Sequence, residues 1–275
     1  MPYISNYKRI QTESGEYRKY NKFMQAYGPG FARVYNLLWA GFARQVAPRI
    51  LEYYERAPLG HANKTLLDLA CGTGQLALYF LEHGYQVTGL DLSEDMLRLA
   101  RENAVTYLVA GEARFGLGDA RNFRLEQPVG LAVSTFDALN HLESLEALQA
   151  CFRCVHSAVV EGGLFIFDLN TRAGLRRWNS INVEEGEEAV VITRGIYDGH
   201  SDRAYTRVSG FVRLEDGRYE RFEETVFNTV FEMQAVKRAL IEAGWRDIHA
   251  ATVQDLATPL EAPEAVGRAF FVARK

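Results

Sequence analysis

The feature of this chain that most constrains its fold is residues 66–75, which read Leu-Leu-Asp-Leu-Ala-Cys-Gly-Thr-Gly-Gln. The apolar residues around Asp68 are typical of a buried strand. Gly72 and Gly74 then suit a tight turn into a helix, because glycine adopts backbone angles that other residues avoid. A second short strand-like run ends at Asp91. Strand, glycine turn, helix and second strand together predict the βαβ unit of a parallel sheet.

Strand and helix patterns continue to alternate as far as residue 170. The predicted strands cover residues 65–69, 86–90, 113–117, 131–135 and 164–167, and the predicted helices cover residues 75–83, 94–104 and 145–159. Ser93, followed by two acidic residues, has the character of a helix N-cap. The alternation predicts an α/β fold with a doubly wound, mostly parallel, Rossmann-like sheet, whose ligands bind at the carboxyl ends of the strands.

Residues 171–232 change to an alternation with period two, which predicts an antiparallel β insertion after the fifth strand. Asp198-Gly199 and Asp216-Gly217 are typical of hairpin turns. If Asp216-Gly217 is a two-residue loop, Phe211 lies opposite Phe222 on the neighbouring strand. An aromatic pair in that position supports the hairpin.

These patterns divide the chain into three parts. Residues 1–60 carry apolar side chains at helical spacing and are predicted to form an N-terminal helical cap. Residues 61–170 and 233–275 are predicted to form the ligand-binding core. Residues 171–232 are the insertion.

Two ligand classes fit the glycine turn. Gly72-x-Gly74-x-x-Ala77 with Asp91 matches the fingerprint of dinucleotide-binding folds, in which an acid follows about 20 residues later. Asp68 lies four residues before Gly72, where a carboxylate would repel a pyrophosphate and attract an ammonium group. This detail favours a ligand with a cationic amino group.

The chain resembles the class I S-adenosylmethionine (SAM) dependent methyltransferases, and among them the small-molecule enzymes related to the N,N-dimethyltransferases of deoxyamino-sugar biosynthesis. The motifs that carry the resemblance span most of the chain and lie at residues 32–36, 66–74, 90–97, 118–123, 135–142, 162–171 and 221–224. The Asn/Asp-Pro-Pro-Tyr motif of DNA and protein amide methyltransferases does not follow the fourth predicted strand. The resemblance implies SAM as methyl donor and S-adenosylhomocysteine as product.

The resemblance also implies how the cofactor is held. Asp91 would bind the ribose hydroxyls, and Asp68 the amino group of the methionine half. Leu92 and Met96 would flank the adenine, although a methionine in this position also fits as a filler of the core. Asp119 would recognise the adenine amino group, unless it is only a solvated loop carboxylate. The expected cofactor-binding residues are Asp68, Ala70, Gly72, Gly74, Asp91, Leu92, Met96, Asp119, Ala120 and Thr135.

Two residues are candidates for handling the acceptor. His141 follows the fourth predicted strand, beside the transferred methyl group, and an imidazole there can act as a general base. The alternative is a structural histidine bonded to the backbone. Tyr35 matches a family tyrosine that closes over the methionine half, or it only packs a helix face. The pair Cys151-x-x-Cys154 lacks a second pair of ligands, so we interpret it as core and expect no metal.

Composition narrows the substrate and the location. The 275 residues carry a net charge of −4, which disfavours nucleic acid as a partner. No apolar run approaches the ~20 residues that span a bilayer, the first residues lack the apolar segment of a signal peptide, and three cysteines suit a reducing compartment. We therefore expect a cytoplasmic enzyme that methylates nitrogen or oxygen of a small-molecule acceptor, without nucleic acid or membrane partners.

Two alternatives and two questions stay open. The alternatives are a SAM-binding protein that has lost catalysis and a NAD-dependent oxidoreductase. The oligomeric state, monomer or dimer, is one question. The other is which face of the insertion meets the acceptor; its candidate contacts are Tyr205, Arg207, Tyr219 and Arg221.

Overall fold

The computed structural model of the protein describes residues 27–275. Residues 1–26, the first part of the predicted N-terminal cap, lie outside the described residues. The α-helices within the described range are α1 (Pro29–Val34), α2 (Gly41–Glu55), α3 (Gln75–Glu82), α4 (Glu94–Asn103), α5 (Val105–Ala110), α6 (Leu145–Ala158), α7 (Arg172–Leu175) and α8 (Met233–Glu242). A π-helical turn, Tyr35–Trp39, joins α1 to α2.

The strands form two separate sheets. The strands are β1 (Thr65–Leu69), β2 (Gln86–Asp91), β3 (Ala113–Leu117), β4 (Val129–Ser134), β5 (Val159–Asn170), β6 (Ile181–Glu185), β7 (Ala189–Asp198), β8 (Arg203–Arg213), β9 (Tyr219–Thr229), β10 (Arg246–Ala251) and β11 (Arg268–Arg274). Seven of them make one sheet in the order β10-β11-β5-β4-β1-β2-β3, and β6 to β9 make a second, four-stranded sheet.

The large sheet is parallel from β1 to β5, and β11 runs antiparallel to both of its neighbours. Asp68 in the central strand β1 pairs with Gly89 on one side and with Val133 on the other. Connections leave β1 and β4 in opposite directions along the sheet, and such a switch point opens a crevice at the carboxyl ends. The predicted fold class, a mostly parallel α/β sheet with an antiparallel β insertion, is confirmed.

The core lies on both faces of the large sheet. Alternate residues of a strand point to opposite faces, so Leu66 packs with the side chains of α2 and α3, whereas Leu67 packs with those of α6 and α8. Both leucines are fully buried. Burying a leucine side chain stabilises the folded state by about 1.5–3 kcal/mol, and this double burial holds β1 rigidly beneath the glycine turn.

Several element boundaries differ by a few residues from the sequence expectation, and the largest difference is at β5, which begins at Val159, five residues before its predicted start. Strand β5 continues to Asn170, three residues beyond the predicted end, because β11 pairs with its last residues and Asn170 lies opposite Arg268. Helix α5 has no predicted counterpart. A six-residue helix shows too few turns of apolar periodicity to be recognised in a sequence.

The second hairpin of the insertion has a register one residue away from the predicted one. Phe211 pairs with Arg221, and Phe222 pairs with Gly210. The loop contains three residues instead of two, Glu215–Gly217, and Gly217 takes a left-handed conformation with φ +83°. The extra loop residue shifts every cross-strand pair, so the predicted pairing of Phe211 with Phe222 is wrong.

Helix α1 joins the insertion to the core. Phe31 and Val34 pack with Val208 and Phe222 of the small sheet and with Met96 of α4. A Cβ atom on Gly30 would lie only 2.5 Å from the Cβ of Phe222, so this close approach requires glycine. None of the described helices is long and apolar enough to cross a membrane.

Candidate functional site

A cavity of about 360 Å³ lies at the carboxyl ends of the large sheet, between the core, α1 and the insertion. Ten of the twelve residues predicted for the site line this cavity: Tyr35, Ala70, Gly72, Asp91, Leu92, Met96, Asp119, Ala120, Thr135 and His141. Asp68 and Gly74 do not line it. The expected site residues are thus brought together, with two exceptions that have physical reasons.

The turn after β1 explains the position of Gly74. Gly72 and Gly74 both have left-handed backbones, with φ +55° and +76°, and Gly74 is the N-cap of α3. A Cβ on Gly74 would lie 3.1 Å from the Cβ of Ala100, so this glycine allows α3 and α4 to pack closely. Gly72 instead faces Tyr35, whose ring would lie 3.4 Å from an added Cβ, and a ligand can approach its backbone.

Asp91 is held rigidly at the end of β2. Its Oδ2 accepts a hydrogen bond from the Gly72 amide at 2.8 Å, and its Oδ1 accepts one from the Ser93 amide at 2.9 Å. Burial raises the pKa of Asp91, while these backbone donors oppose the rise. Each carboxylate oxygen has a further lone pair, so the side chain can still accept from two neighbouring hydroxyl groups. A ribose diol fits this arrangement.

Asp68 is almost fully buried below the turn. Its Oδ2 has no hydrogen-bond partner among the described residues, and burial raises the pKa of its carboxyl to about 7. A buried carboxylate oxygen without a partner costs free energy that a cationic partner would offset. The site therefore fits a ligand that brings an ammonium group to the turn after β1.

We predict a pH effect of Asp68 on stability. The folded protein binds this proton more tightly than the unfolded chain, whose carboxyl has its ordinary pKa of 3.8. Folding therefore takes up a proton between these two pKa values, and the stabilisation is lost as the pH rises from about 4 to about 7. The Tm of cofactor-free Asp68→Asn should therefore exceed that of wild type by a margin that grows between about pH 5 and pH 8, at about 2–4 °C for each kcal/mol of stability that wild type loses.

Differential scanning calorimetry over that pH range measures the effect. Asp95→Asn is the matched control, because Asp95 lies outside the cavity in the first turn of α4. If the Tm of wild type and the Tm of Asp68→Asn change with pH in the same way, Asp68 does not titrate in this range.

Arg121 holds the Asp119 carboxylate. The Arg121 guanidinium donates to both oxygens of Asp119, with Nη2 2.6 Å from Oδ2, and also donates to Glu143 at 2.7 Å. Hydrogen bonds from Arg121 lower the pKa of Asp119. Asp119 is therefore an ion-paired carboxylate in the cavity wall. Sequence reasoning missed this pair, although Arg121 lies only two residues after Asp119.

His141 lies in a 3-10 turn, Ala138–His141, that follows β4. Its Nδ1 lies 2.8 Å from the Phe227 carbonyl oxygen, which can only accept, so Nδ1 carries the proton. In the neutral ring Nε2 is then an acceptor, and the Tyr27 hydroxyl lies 3.0 Å from it. The imidazole is thus oriented by the insertion and contacts the segment before α1.

Tyr35 is the first residue of the π-helical turn, and its ring lies over Gly72 and 5.8 Å from the ring of Phe136. Burial, with the nearby charge of Asp137, raises the pKa of Tyr35. The hydroxyl therefore stays protonated at neutral pH and can donate a hydrogen bond into the cavity.

A buried ion cluster shapes the turn after β4. Phe136 and Asp137 have left-handed backbones, with φ +65° and +52°, a conformation that non-glycine residues rarely adopt. The Asp168 carboxylate accepts from both of their amides, at 2.7 and 3.0 Å. Arg268 bridges Asp168 and Asp137, with 2.6 Å to Asp137. Backbone strain beside Thr135 is thus maintained by contacts from β5 and β11.

Sequence reasoning missed this cluster, although part of its signal was present. Asp168 stands in an otherwise apolar strand, and a charge there calls for a partner. Arg268 is 100 residues away along the chain, so only the pairing of β5 with β11 brings the two together.

The insertion meets the cavity with the face opposite to the candidate contacts. None of Tyr205, Arg207, Tyr219 and Arg221 lines the cavity, so this expectation is wrong. The residues of the insertion that line it are Trp178, Ser180, Asn182, Thr193, Gly195, Thr206, Val208, Val226 and Asn228. The reason is alternation, since odd-numbered residues of β8 point away when Thr206 and Val208 point inward.

Comparisons with known proteins show the family of the chain. The profile of a methyltransferase domain family matches residues 66–163. The chain is 30% identical over 218 residues to the "Putative methyltransferase" of Geobacillus sp. (strain WCH70), covering 77% of this chain and 85% of the relative. It is 27% identical over 222 residues to the Streptomyces venezuelae dTDP-3-amino-3,4,6-trideoxy-alpha-D-glucopyranose N,N-dimethyltransferase, covering 78% and 90%.

A solved structure shows the same fold. The crystal structure of an S-adenosylmethionine-dependent methyltransferase from Clostridium acetobutylicum superimposes with a TM-score of 0.71 at 22% identity, covering 89% of this chain and 97% of that one. Because the Geobacillus relative matches over most of both chains, and the domain family and the fold agree with it, the chain belongs to the class I SAM-dependent methyltransferases.

Proposed function

We propose that this enzyme transfers the methyl group of SAM to the amine nitrogen of a small-molecule acceptor and releases S-adenosylhomocysteine. The observation that carries the proposal is His141, which lines the cavity beside the turn after β4 with its ring oriented for proton transfer. A base is useful when the acceptor reaches the site as an ammonium group. The name of the Streptomyces venezuelae relative, an N,N-dimethyltransferase, supports nitrogen over oxygen.

The cofactor residues have separate roles in this proposal. SAM, when bound, supplies an activated methyl group on a sulfonium. Asp91 accepts hydrogen bonds from the ribose, and Asp68 attracts the amino group of the methionine half. Leu92 and Met96 flank the adenine; Met96 is buried with α1 and also lines the cavity, so core packing and ligand contact are compatible.

The acceptor is handled by three side chains. His141 takes the proton from the incoming ammonium, through the Tyr27 hydroxyl that lies 3.0 Å from its Nε2. In this relay a proton passes from nitrogen to the phenol oxygen while the phenol proton passes to the imidazole. Tyr35 donates a hydrogen bond that orients the acceptor. Methyl transfer from a sulfonium is a direct displacement, and positioning the acceptor nitrogen against the methyl group supplies much of its rate.

The proposed domain roles follow from the cavity walls. Residues 61–170 and 233–275 bind SAM, whereas the insertion, residues 171–232, covers the acceptor side together with residues 27–39 of the N-terminal cap. The three cysteines form no disulfide, which supports action in the cytoplasm. The acidic composition supports a small molecule over nucleic acid as acceptor.

The direct test is a panel of small primary and secondary amines, with the corresponding alcohols as the matched set. We expect S-adenosylhomocysteine release with at least one amine, and a product heavier by one or two methyl groups by mass spectrometry. Methylation of alcohols alone would contradict the choice of nitrogen. Tight SAM binding without turnover on any acceptor would support a non-catalytic relative instead.

Tyr35→Phe tests the orienting hydroxyl. Loss of one hydrogen bond to the acceptor should weaken transition-state binding by about 1 kcal/mol, which lowers kcat/KM roughly fivefold. Calorimetry should find S-adenosylhomocysteine affinity unchanged. Tyr107→Phe is the control, because Tyr107 lies on α5 outside the cavity. An equal loss in both variants would mean that Tyr35 only packs.

A further inference from the structure

Carboxylates outnumber cations around the cavity. Among the described residues that line it are four carboxylates, Asp91, Asp119, Asp137 and Glu143, but only two guanidiniums, those of Arg121 and Arg268. Arg121 lies between Asp119 and Glu143, and Arg268 lies between Asp137 and Asp168. Each positive group is thus held by two negative ones, and neither has charge to spare for an anionic ligand.

The wall formed by the insertion is neutral. Its cavity-facing side chains are hydroxyl, amide, aliphatic and indole groups. The arginines of the same strands point the other way: Arg194 and Arg207 are cross-strand neighbours on the opposite face, and Arg207 is paired with Glu223 at 2.6 Å. Alternation along the strands therefore sorts neutral residues inward and cations outward.

Six aromatic rings complete the lining: Tyr27, Phe31, Tyr35, Trp39, Phe136 and Trp178. Such rings bind apolar or ring-shaped molecules through their faces and attract cationic amines. Trp178 stands at the start of the insertion, on the acceptor side of the cavity. The lining is suited to an amine on a neutral scaffold.

We infer that the acceptor is an amine whose scaffold carries no phosphate or other anionic group. The inference rests on the proposed function, since it concerns the acceptor of that methyl transfer. Beside the bound cofactor, a diphosphate in this cavity would meet Asp137 and Glu143, whose arginines are each shared with a second carboxylate, and no further cation among the described lining residues. The acceptor class thus differs from the nucleotide sugar that gives the Streptomyces venezuelae relative its name.

The experiment compares dTDP with thymidine, which differ only in the diphosphate. Titration calorimetry on the full chain, saturated with S-adenosylhomocysteine, should show that dTDP binds no more tightly than thymidine, or that neither binds at about 1 mM. Binding of dTDP at least tenfold more tightly than thymidine would overturn the inference.

A variant at Glu143 tests whether the ion pairs of Arg121 exclude the phosphate. Glu143→Gln leaves Arg121 with one carboxylate, and the affinity for dTDP relative to thymidine should rise at least threefold. Glu126→Gln is the matched control, since Glu126 forms an exposed ion pair with Arg114 away from the cavity. Unchanged dTDP affinity in Glu143→Gln would show that the pairing of Arg121 with two carboxylates is not what excludes the phosphate.

A second pair of probes separates this inference from the proposed function. The probes are dTDP-3-amino-3,4,6-trideoxy-glucose and the methyl glycoside of the same amino sugar. Faster methylation of the nucleotide sugar would overturn the inference while supporting N-methylation, whereas faster methylation of the glycoside supports both. If the amine panel yields no product, the proposed function fails, and the dTDP titration still decides whether the cavity admits a diphosphate.

Discussion

Replacing His141 with alanine is expected to lower the turnover of an ammonium acceptor by about 10²–10⁴-fold, the usual cost of losing a general base. The ring lines the cavity, its Nδ1 is fixed by the Phe227 carbonyl, and its Nε2 faces the Tyr27 hydroxyl. S-adenosylhomocysteine affinity should stay within about threefold, because we assign the residue to the acceptor. Single-turnover kinetics measures the first quantity and calorimetry the second.

His200→Ala provides the control, because His200 is exposed in the loop of the first hairpin. The rate loss should also shrink at high pH, where the acceptor amine arrives already deprotonated. A His141→Ala enzyme with unchanged turnover at all pH values would leave only the structural role. A large drop in cofactor affinity would instead place His141 on the donor side.

Replacing Asp91 with alanine is expected to weaken SAM binding by roughly ten- to a hundredfold. Each hydrogen bond to a charged group contributes about 1.5–3 kcal/mol, and about 1.4 kcal/mol corresponds to a tenfold change in affinity. The carboxylate is preorganised, since the Gly72 and Ser93 amides fix both of its oxygens. Ribose hydroxyls therefore bind without ordering the side chain first.

The hydrogen bonds from the Gly72 and Ser93 amides to Asp91 also hold the local backbone in place, so Asp91→Ala alone could act through the fold. A conservative variant is therefore needed. Asp91→Asn retains one acceptor oxygen and should lose less affinity than Asp91→Ala, with a Tm closer to wild type. Asp95→Ala is the matched control outside the cavity. Unchanged SAM affinity in a folded Asp91→Ala protein, measured by calorimetry, would refute the ribose assignment.

The local part of the site was predictable from the sequence. In residues 65–91 the strand, the glycine turn, the helix and the acid all follow one another within a single βαβ unit. Short-range sterics decide such a unit, since left-handed angles at Gly72 and Gly74 require residues without a Cβ. The sequence therefore indicated both the parallel sheet and the cofactor.

The antiparallel insertion was predictable as a structure but not in its register. Alternation identifies strands, and Asp-Gly identifies turns, but one additional residue in the loop at Gly217 moves every pair. A shift of one residue also decides which face is which. The sequence therefore left open which face of the insertion meets the cavity, and the structure shows that Thr206 and Val208 line it whereas Tyr205 and Arg207 lie on the opposite face.

The sequence by itself determined the βαβ unit, the positions of Asp68 and Asp91 around its glycine turn and the existence of the insertion, because these depend on neighbours along the chain. Only the tertiary structure decided the partners of the charges: Arg268 with Asp137 and Asp168, and Tyr27 with His141. Those pairs join residues 100 to 131 positions apart in the chain, and no local pattern encodes which of many acids an arginine will meet. The charge balance of the acceptor cavity, and with it the class of acceptor, therefore depends on how the strands pack.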